Sequence, residues 1–411
     1  MNCRLNLPEM PNGCIQDVVR ILFTFIGGNG HFVPLIPVAS AAEAAGHTVA
    51  FGCGPSMVST VEAAGFTVFP LGTGNASPPD RIPLRPLDAA REDQEFRDRF
   101  ARHGAQYRAP HTIALCTEWQ PDVLVCDETD FGGMVAAERL GLPYATVLVM
   151  AAGSFVRTEV VGEALNELRA EHGLPLDLEL EMLRRYLVLS PFPPSFRDPA
   201  YPLSATAHSF RPPIPETAGD PAPAWSSMLP GVPTVYFTLG TVFNMESGDL
   251  FTRVLAGLRN LPVNVVATVG HHIDPTEFGP QPANVHIERY IAQESILPHC
   301  CLVVSHGGSG SVIGALAHGR PSVLIPMGAD QPMNAARCVQ LGVARVLDPS
   351  GATPDSVCAA VSAVLADPSY RQAAERIRDE FAALPGPARA IRLLERLAAG
   401  KRPISGVRTW M

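Results

Sequence analysis

The sequence predicts an α/β protein built as two doubly wound halves, each around a mostly parallel sheet. Three observations carry that prediction. Continuous apolar runs of strand length alternate with stretches of helical periodicity. The alternation is interrupted by a proline-dense middle, residues 191–233, and then restarts. Both halves repeat one local pattern, a strand that runs through a glycine-rich turn into a helix. A chain of 411 residues also exceeds what a single hydrophobic core ordinarily supports, so two domains are expected.

In the first half, VVRILFTFI (18–26) is an apolar run closed by glycines, the mark of a buried parallel strand. The loop GGNGH (27–31) follows, then a helical pattern, VPLIPVASAAEAAG (33–46), that closes on Gly46. HTVAFGC (47–53) reads as a strand, 56–65 as a helix ending in Gly65, and FTVFPL (66–71) as a strand. PDVLVCD (121–127) and YATVLVM (144–150) are two more strands around a helix near 132–140. Between 191 and 233, PFPPS, RPPIP and DPAPA exclude regular helix and central strand and suit an interdomain linker. In the second half the expected strands are 234–240, 263–270, 284–291, 301–305 and 321–327. Helices are expected at 248–259, after HGGSGS, and at 332–341, 354–366 and 369–384. The resulting division is an extension (1–17), a first Rossmann-like domain (18–210), a linker (211–232), a second Rossmann-like domain (233–385) and a terminal helix with tail (386–411).

Composition narrows the function class. Hydrophobic residues at 46% and charged residues at 17% describe an ordinary globular protein. A net charge of −9 without any Lys/Arg-rich run argues against nucleic acid or an anionic membrane as partner. It leaves a phosphorylated ligand open, because a helix terminus binds phosphate even within an acidic protein. The 9 cysteines are scattered, with no C-x-x-C pair, which points to reduced thiols, a cytoplasmic protein and no metal site. MNCRLNLPEMPNGCIQD lacks an apolar signal region and reads as a disordered extension or a mis-called start. Apolar runs near ten residues are too short for stable membrane insertion.

The strongest local chemistry is at HGGSGS (306–311), between strand CLVVS and the helix SVIGALAHG. Its glycines let backbone N–H groups approach an anion, and the helix terminus adds partial positive charge. Ser309 and Ser311 are expected to cap that helix and donate to phosphate, and His306 to donate from its imidazole. No G-x-x-x-x-G-K-[ST] is present, which argues against a nucleoside triphosphatase. MGADQPMNA (327–335) follows the next strand, and loops at the carboxyl ends of neighbouring parallel strands share one crevice. Asp330 and Gln331 are therefore expected beside the phosphate loop, where an acceptor and an amide suit adjacent sugar hydroxyls.

The stretch NVHIERYIAQESILPHCCLVVSHGGSGSVIGALAHGRPSVLIPMGADQPMNAARCVQLGVARVL resembles the C-terminal signature of family 1 glycosyltransferases, above all the bacterial enzymes that glycosylate antibiotics and other secondary metabolites. GGNGHFVPL (27–35) and PDVLVCDETDFGGMVAAERLGLP (121–143) extend the resemblance over most of the chain. It implies the GT-B fold, two Rossmann-like domains facing across a cleft, with a terminal helix, here 386–399, crossing back to the first domain. It implies that His306 and the backbone of Gly308, Ser309 and Gly310 bind a diphosphate, with Thr241 contacting it from the opposite side. Tyr290 stands where many members stack a Trp on the base, and Ile291 would read the pyrimidine edge through its backbone. Asp330 and Gln331 match the pair that holds sugar hydroxyls. Members commonly have Pro before the Gln that follows the base-binding segment; here Ala292 precedes Gln293.

Glycosyl transfer needs a base, and histidine titrates near working pH. His31 lies just beyond the first strand, and the resemblance makes it that base, with Asp127 as the carboxylate behind it; Asp130 and Glu128 are nearby alternatives, Asp130 the stronger. GGNGH lacks the third glycine of a dinucleotide fingerprint, and no acid ends the next strand, which argues against nicotinamide. The expectation is an inverting in-line displacement that moves a sugar from a nucleoside diphosphate, TDP favoured over UDP, to a hydrophobic aglycone. No cofactor is expected, and the nucleotide sugar is a substrate. Segments 72–115 and 151–196 are expected to wall the acceptor pocket, with Phe131, Met150, Phe155, Phe192 and Phe196 as apolar candidates. The competing readings are a nucleotide-sugar epimerase and an inactive sugar-nucleotide-binding accessory protein. Monomer and homodimer stay open.

Overall fold

Seven parallel strands form the first sheet, in the order β3-β2-β1-β4-β5-β6-β7. They are β1 (Arg20–Thr24), β2 (Thr48–Cys53), β3 (Val68–Pro70), β4 (Val123–Asp127), β5 (Tyr144–Val147), β6 (Leu187–Ser190) and β7 (Ala207–Ser209). Six parallel strands form the second, β10-β9-β8-β11-β12-β13. These are β8 (Thr234–Thr238), β9 (Asn264–Thr268), β10 (Val285–Glu288), β11 (Leu302–Ser305), β12 (Ser322–Leu324) and β13 (Ala344–Val346). The coordinates, a computed structural model, describe residues 18–73, 80–212 and 231–406. The extension 1–17 and most of the linker 211–232 lie outside the described residues.

In both sheets the strand order reverses beside the first strand, at β1/β4 and at β8/β11. Such switch points open a crevice at the carboxyl ends of the strands, where both glycine-rich turns emerge. Thr24 of β1 pairs with Cys126 of β4, which sets Asp127 beside the loop that leaves β1. The central strands are buried on both faces, which explains their unbroken apolar runs. The run 144–150 is strand only to Val147, because the Val149 and Met150 N–H groups turn to the Glu128 carboxylate instead of a ladder.

The short helices α1 (Asn29–Phe32), α2 (Ile36–Ala44) and α3 (Val58–Ala63) follow β1 and β2. The first expected acceptor wall, 72–115, is helical from Ala89 on: α4 (Ala89–Phe96) runs through a π-helical stretch (Arg97–Gly104) into α5 (Ala105–Trp119). After them come α6 (Phe131–Leu140) and α7 (Thr158–Glu171). The strands β6, β7 and β13 are also additions to the expected set; β7 lies within the proline-dense middle, three residues at the sheet edge, where prolines flank a strand without breaking a ladder. The second half carries α8 (Leu250–Leu258), α9 (Gln293–Ile296), α10 (Ser309–Ala317), α11 (Gln331–Gln340), α12 (Pro354–Ala366) and α13 (Pro368–Ala383). The last helix, α14 (Ala388–Gly400), lies on the first sheet, where Ile391, Leu394 and Leu397 join the core of β1, β2 and α2.

The halves share a hydrophobic core. Leu148, Val188, Phe192 and Phe196 from the first pack with Val312, Leu316 and Phe381 of α10 and α13. Phe192 and Phe196 were acceptor candidates; the structure makes them part of the joint between halves. Phe131, Met150 and Phe155 are likewise buried, in the core between the first sheet and α4–α7. Core packing, not an open pocket wall, accounts for all five. The described cysteines are free thiols, and burial pushes Cys53 up to about 11 and Cys116 to about 12. Among the described residues no helix is long and apolar enough to cross a membrane, and no cluster of His, Cys, Asp or Glu could hold a metal.

Candidate active site

The first side of the cleft is built at the end of β1. The chain turns at Gly27, with φ of 97°, and enters α1, which presents His31. A Cβ at Gly27 would lie 2.8 Å from the His31 ring, so the turn requires glycine twice over, for its φ and for this contact. His31 Nδ1 lies 3.3 Å from Asp127 Oδ1 and 3.1 Å from Thr129 Oγ1. Asp127 is fully buried and takes further bonds from Ile26 N–H (2.8 Å), Thr129 N–H (2.7 Å) and the Thr129 hydroxyl (2.6 Å). Facing an acceptor-only carboxylate, Nδ1 carries the proton, which leaves the lone pair on Nε2. Phe100 stacks on the imidazole with ring centroids 5.7 Å apart.

Burial by itself would depress the His31 imidazolium; Asp127, by charge and hydrogen bond, with Asp330 and Glu128, carries its pKa above the ordinary value. Asp127 is therefore the partner. Asp130 instead caps α6 through Gly133 N–H and faces Arg108 at 3.4 Å. Glu128 is occupied by the Val149 and Met150 N–H groups.

On the second side, β11 leads through Gly307, at φ 86°, into α10. The helix N-cap is Gly308 and has no side-chain cap. Neither serine caps it, contrary to expectation. Ser309 donates its hydroxyl to Asp330 (2.6 Å) and accepts from Ala151 N–H (2.8 Å), while Ser311 accepts from Gln293 Nε2 (3.3 Å). The Ser309 hydroxyl is thus committed to Asp330, and the N–H groups of the first turn are the donors this helix end could offer an anion.

His306 is 8% exposed, and burial drives its pKa down to about 4, so the ring is neutral. It lies between two glycine backbones: a Cβ on Gly240 would fall 2.7 Å from the imidazole, and one on Gly308 2.5 Å from Nε2. This contact brings the TLGT loop, with exposed Thr241, against the turn at Gly307 and Gly308. Its Nδ1 is buried without a partner among the described residues.

The turn that carries Asp330 and Gln331 follows β12. Gln331 is buried, and its Oε1 accepts from Met327 N–H (2.8 Å) and Gly328 N–H (3.3 Å). Asp330 is also buried; burial raises its pKa against the opposing pull of Ser309 and Asn334 hydrogen bonds and the His31 charge. Asp330 and His31 thus feel each other across the cleft. Asn334 Nδ2 donates to Asp330 Oδ2 (2.8 Å) and the Gly307 carbonyl (3.0 Å), while its Oδ1 accepts from Ala152 N–H (3.1 Å). Farther out, Tyr290 is exposed and stacks on His271 at 5.0 Å. The Ile291 side chain packs on the Tyr236 cluster, and its backbone makes no hydrogen bond among the described residues.

Sequence reasoning passed over Thr129, Asn334, Phe100 and also Glu92, whose Oε2 accepts from Ala329 N–H at 2.8 Å. Thr129 has a local signal, a hydroxyl two residues after an aspartate at a strand end. Asn334 has one too, four residues beyond Asp330 on one helix face. Phe100 and Glu92 have none.

Residues 252–397 match the family model described as erythromycin biosynthesis protein CIII-like, C-terminal domain. The chain is 29% identical to tylactone mycaminosyltransferase of Streptomyces fradiae, over 95% of each protein. It is 30% identical to 4'-demethylrebeccamycin synthase of Lentzea aerocolonigenes, over 92% of this chain and 99% of that one. The solved structure of spinosyn rhamnosyltransferase SpnG complexed with thymidine diphosphate is similar at TM-score 0.76 and 25% identity, covering 92% of this chain and all of that one.

Proposed function

The chain belongs to the antibiotic glycosyltransferases of the GT-B fold, and from that premise we propose that it transfers a sugar, with inversion, from a nucleoside diphosphate to a hydroxyl of an apolar natural-product aglycone. The observation that carries this reading is the pairing across one cleft of a carboxylate-backed histidine, His31, with the turn that holds Asp330 and the phosphate loop behind it.

In the proposed step His31 Nε2 takes the aglycone hydroxyl proton as that oxygen attacks the anomeric carbon. The bond from the anomeric carbon to the diphosphate breaks on the opposite face, and the leaving group takes the electron pair. Asp127 stabilises the imidazolium that forms. His306, Thr241 and the free N–H groups at the start of α10 stabilise the charge gathering on the diphosphate. Asp330 and Gln331 hold sugar hydroxyls, Gln331 through its amide nitrogen because its carbonyl is committed to the Met327 and Gly328 backbone. Tyr290, Ile291 and Gln293 are the base-side segment. Phe100, stacked on the base and partly exposed, replaces the five buried candidates as the apolar contact for the aglycone. TDP is favoured because the similar spinosyn rhamnosyltransferase was solved with thymidine diphosphate.

The test titrates TDP and UDP into wild type, His31→Ala and His306→Ala by calorimetry, beside a transfer assay. His31→Ala is expected to keep nucleotide affinity and lose transfer; His306→Ala is expected to weaken nucleotide binding. Unchanged turnover in His31→Ala would sink the base assignment, and a product retaining the donor's anomeric configuration would sink inversion.

A further inference from the structure

The turn that presents Asp330 and Gln331 is not self-sufficient. Three consecutive N–H groups line its inner side. Gln331 Oε1 takes two of them, from Met327 and Gly328. The third, from Ala329, goes to Glu92 Oε2 at 2.8 Å, a side chain 237 residues away on α4 of the first half. Ala329 sits at φ 51°, in the left-handed region a non-glycine residue enters at a cost, so this turn is held by what surrounds it. Gly328 is wedged in the same contact: a Cβ there would lie 2.8 Å from the Glu92 carboxylate and 2.9 Å from the Phe243 ring.

Helix α4 is itself well anchored. Asp88 caps it, and Phe96, one turn beyond Glu92, packs on Phe155 and Phe100 with centroids 4.6 and 5.2 Å apart. Just before it the chain docks on the second half: Arg81 pairs doubly with Glu277 (2.7 and 2.9 Å), and Ile82 N–H donates to the Met245 carbonyl (2.8 Å). Glu92 is therefore delivered to the turn by a rigid, doubly fixed segment. Its second oxygen faces Arg91 at 3.2 Å.

We propose that Glu92 is a positioning residue for the donor sugar: its carboxylate, supplied by the acceptor half, completes the hydrogen bonding of the Met327–Ala329 turn and so sets the Asp330 and Gln331 side chains for sugar hydroxyls. Sugar recognition then depends on Glu92 of the acceptor half, whereas the α10 turn has its own tie to that half, Ala151 N–H to Ser309 Oγ, which Glu92 does not touch. The inference rests on the donor reading of Asp330 and Gln331 given above.

The test is the gain in affinity that a sugar confers on the nucleotide. Full-length wild type, Glu92→Ala and Glu92→Gln are titrated with TDP, TDP-glucose, TDP-rhamnose and UDP-glucose by calorimetry. In Glu92→Ala the ratio of sugar-nucleotide to nucleotide affinity is expected to fall about fivefold, in keeping with one lost hydrogen bond, with TDP affinity itself within about twofold of wild type. Glu92→Gln keeps an acceptor oxygen and is expected to retain the ratio. The ratio surviving in Glu92→Ala, TDP and its sugars weakening together, or Glu92→Gln failing as the alanine variant does would each overturn the proposal. A wild type that gains nothing from the sugar in any of the three sugar nucleotides overturns the donor reading beneath it instead.

Discussion

His31 Nδ1 lies nearer the Thr129 hydroxyl, at 3.1 Å, than the Asp127 carboxylate, at 3.3 Å. The hydroxyl gives its own proton to Asp127 at 2.6 Å, so its oxygen accepts from the imidazole. The ring proton is thus shared between two acceptors that fix each other. Thr129→Val keeps the shape and removes the hydroxyl. It is expected to lower turnover about tenfold, the scale of a misaligned catalytic base, with nucleotide affinity unchanged. Turnover at the wild-type level would show that Asp127 alone orients the ring.

The raised pKa of His31 sets the pH profile. A base works only unprotonated, so the rate should rise with pH through the His31 pKa, which lies above the ordinary 6.5. Removing the Asp127 charge takes away what raises that pKa and leaves the opposing burial. Asp127→Asn should therefore move the acid limb to lower pH while the plateau drops about 100-fold or more. An acid limb that stays in place in Asp127→Asn would separate the two groups.

His306 behaves in the opposite sense. Its pKa near 4 means a neutral ring in the free protein at neutral pH. A diphosphate beside it favours the protonated form, so the bound pKa exceeds the free one and binding should take up protons as pH falls toward 5. TDP affinity should therefore rise on acidification, read by calorimetry in buffers of different ionisation enthalpy. Proton uptake should vanish in His306→Ala. Gly308→Ala puts a Cβ 2.5 Å from the ring and should weaken TDP about tenfold or more without unfolding the protein.

Phe196 was expected at the acceptor pocket and is instead fully buried between the halves, with Leu316 and Phe381 nearby in one core. Phe196→Ala should cost about 3–5 kcal/mol of stability, the range for a buried aromatic truncated to alanine. It should lower Tm by several degrees, with the aglycone KM little changed in the enzyme that remains folded. A shifted aglycone KM at unchanged Tm would return Phe196 to the pocket.

Much of the architecture was legible in the chain because it is written locally. Apolar runs mark β1, β4, β8 and β11, since a parallel strand is buried on both faces. The turns at Gly27 and Gly307 are legible because a left-handed φ demands glycine at that very residue. His31 follows the turn at Gly27 and His306 immediately precedes Gly307, so both stand at the carboxyl ends of strands, where strand topology opens the crevice. What tertiary structure decided are relationships between distant residues. Three neighbouring acids, Asp127, Glu128 and Asp130, look alike in sequence; only the register of β4 against β1 turns Asp127 to the histidine and sends the others to Met150 and Arg108. Five apolar residues in the expected acceptor walls read equally as pocket or core, and burial between packed layers made them core. The HGGSGS loop read alone promised two serine donors, yet Ser309 gives its hydroxyl proton to Asp330, while Ser311 accepts from Gln293 and keeps its own. Burial and partner choice depend on contacts between residues far apart in the chain, 237 positions in the case of Glu92 and Ala329, and no local pattern encodes them.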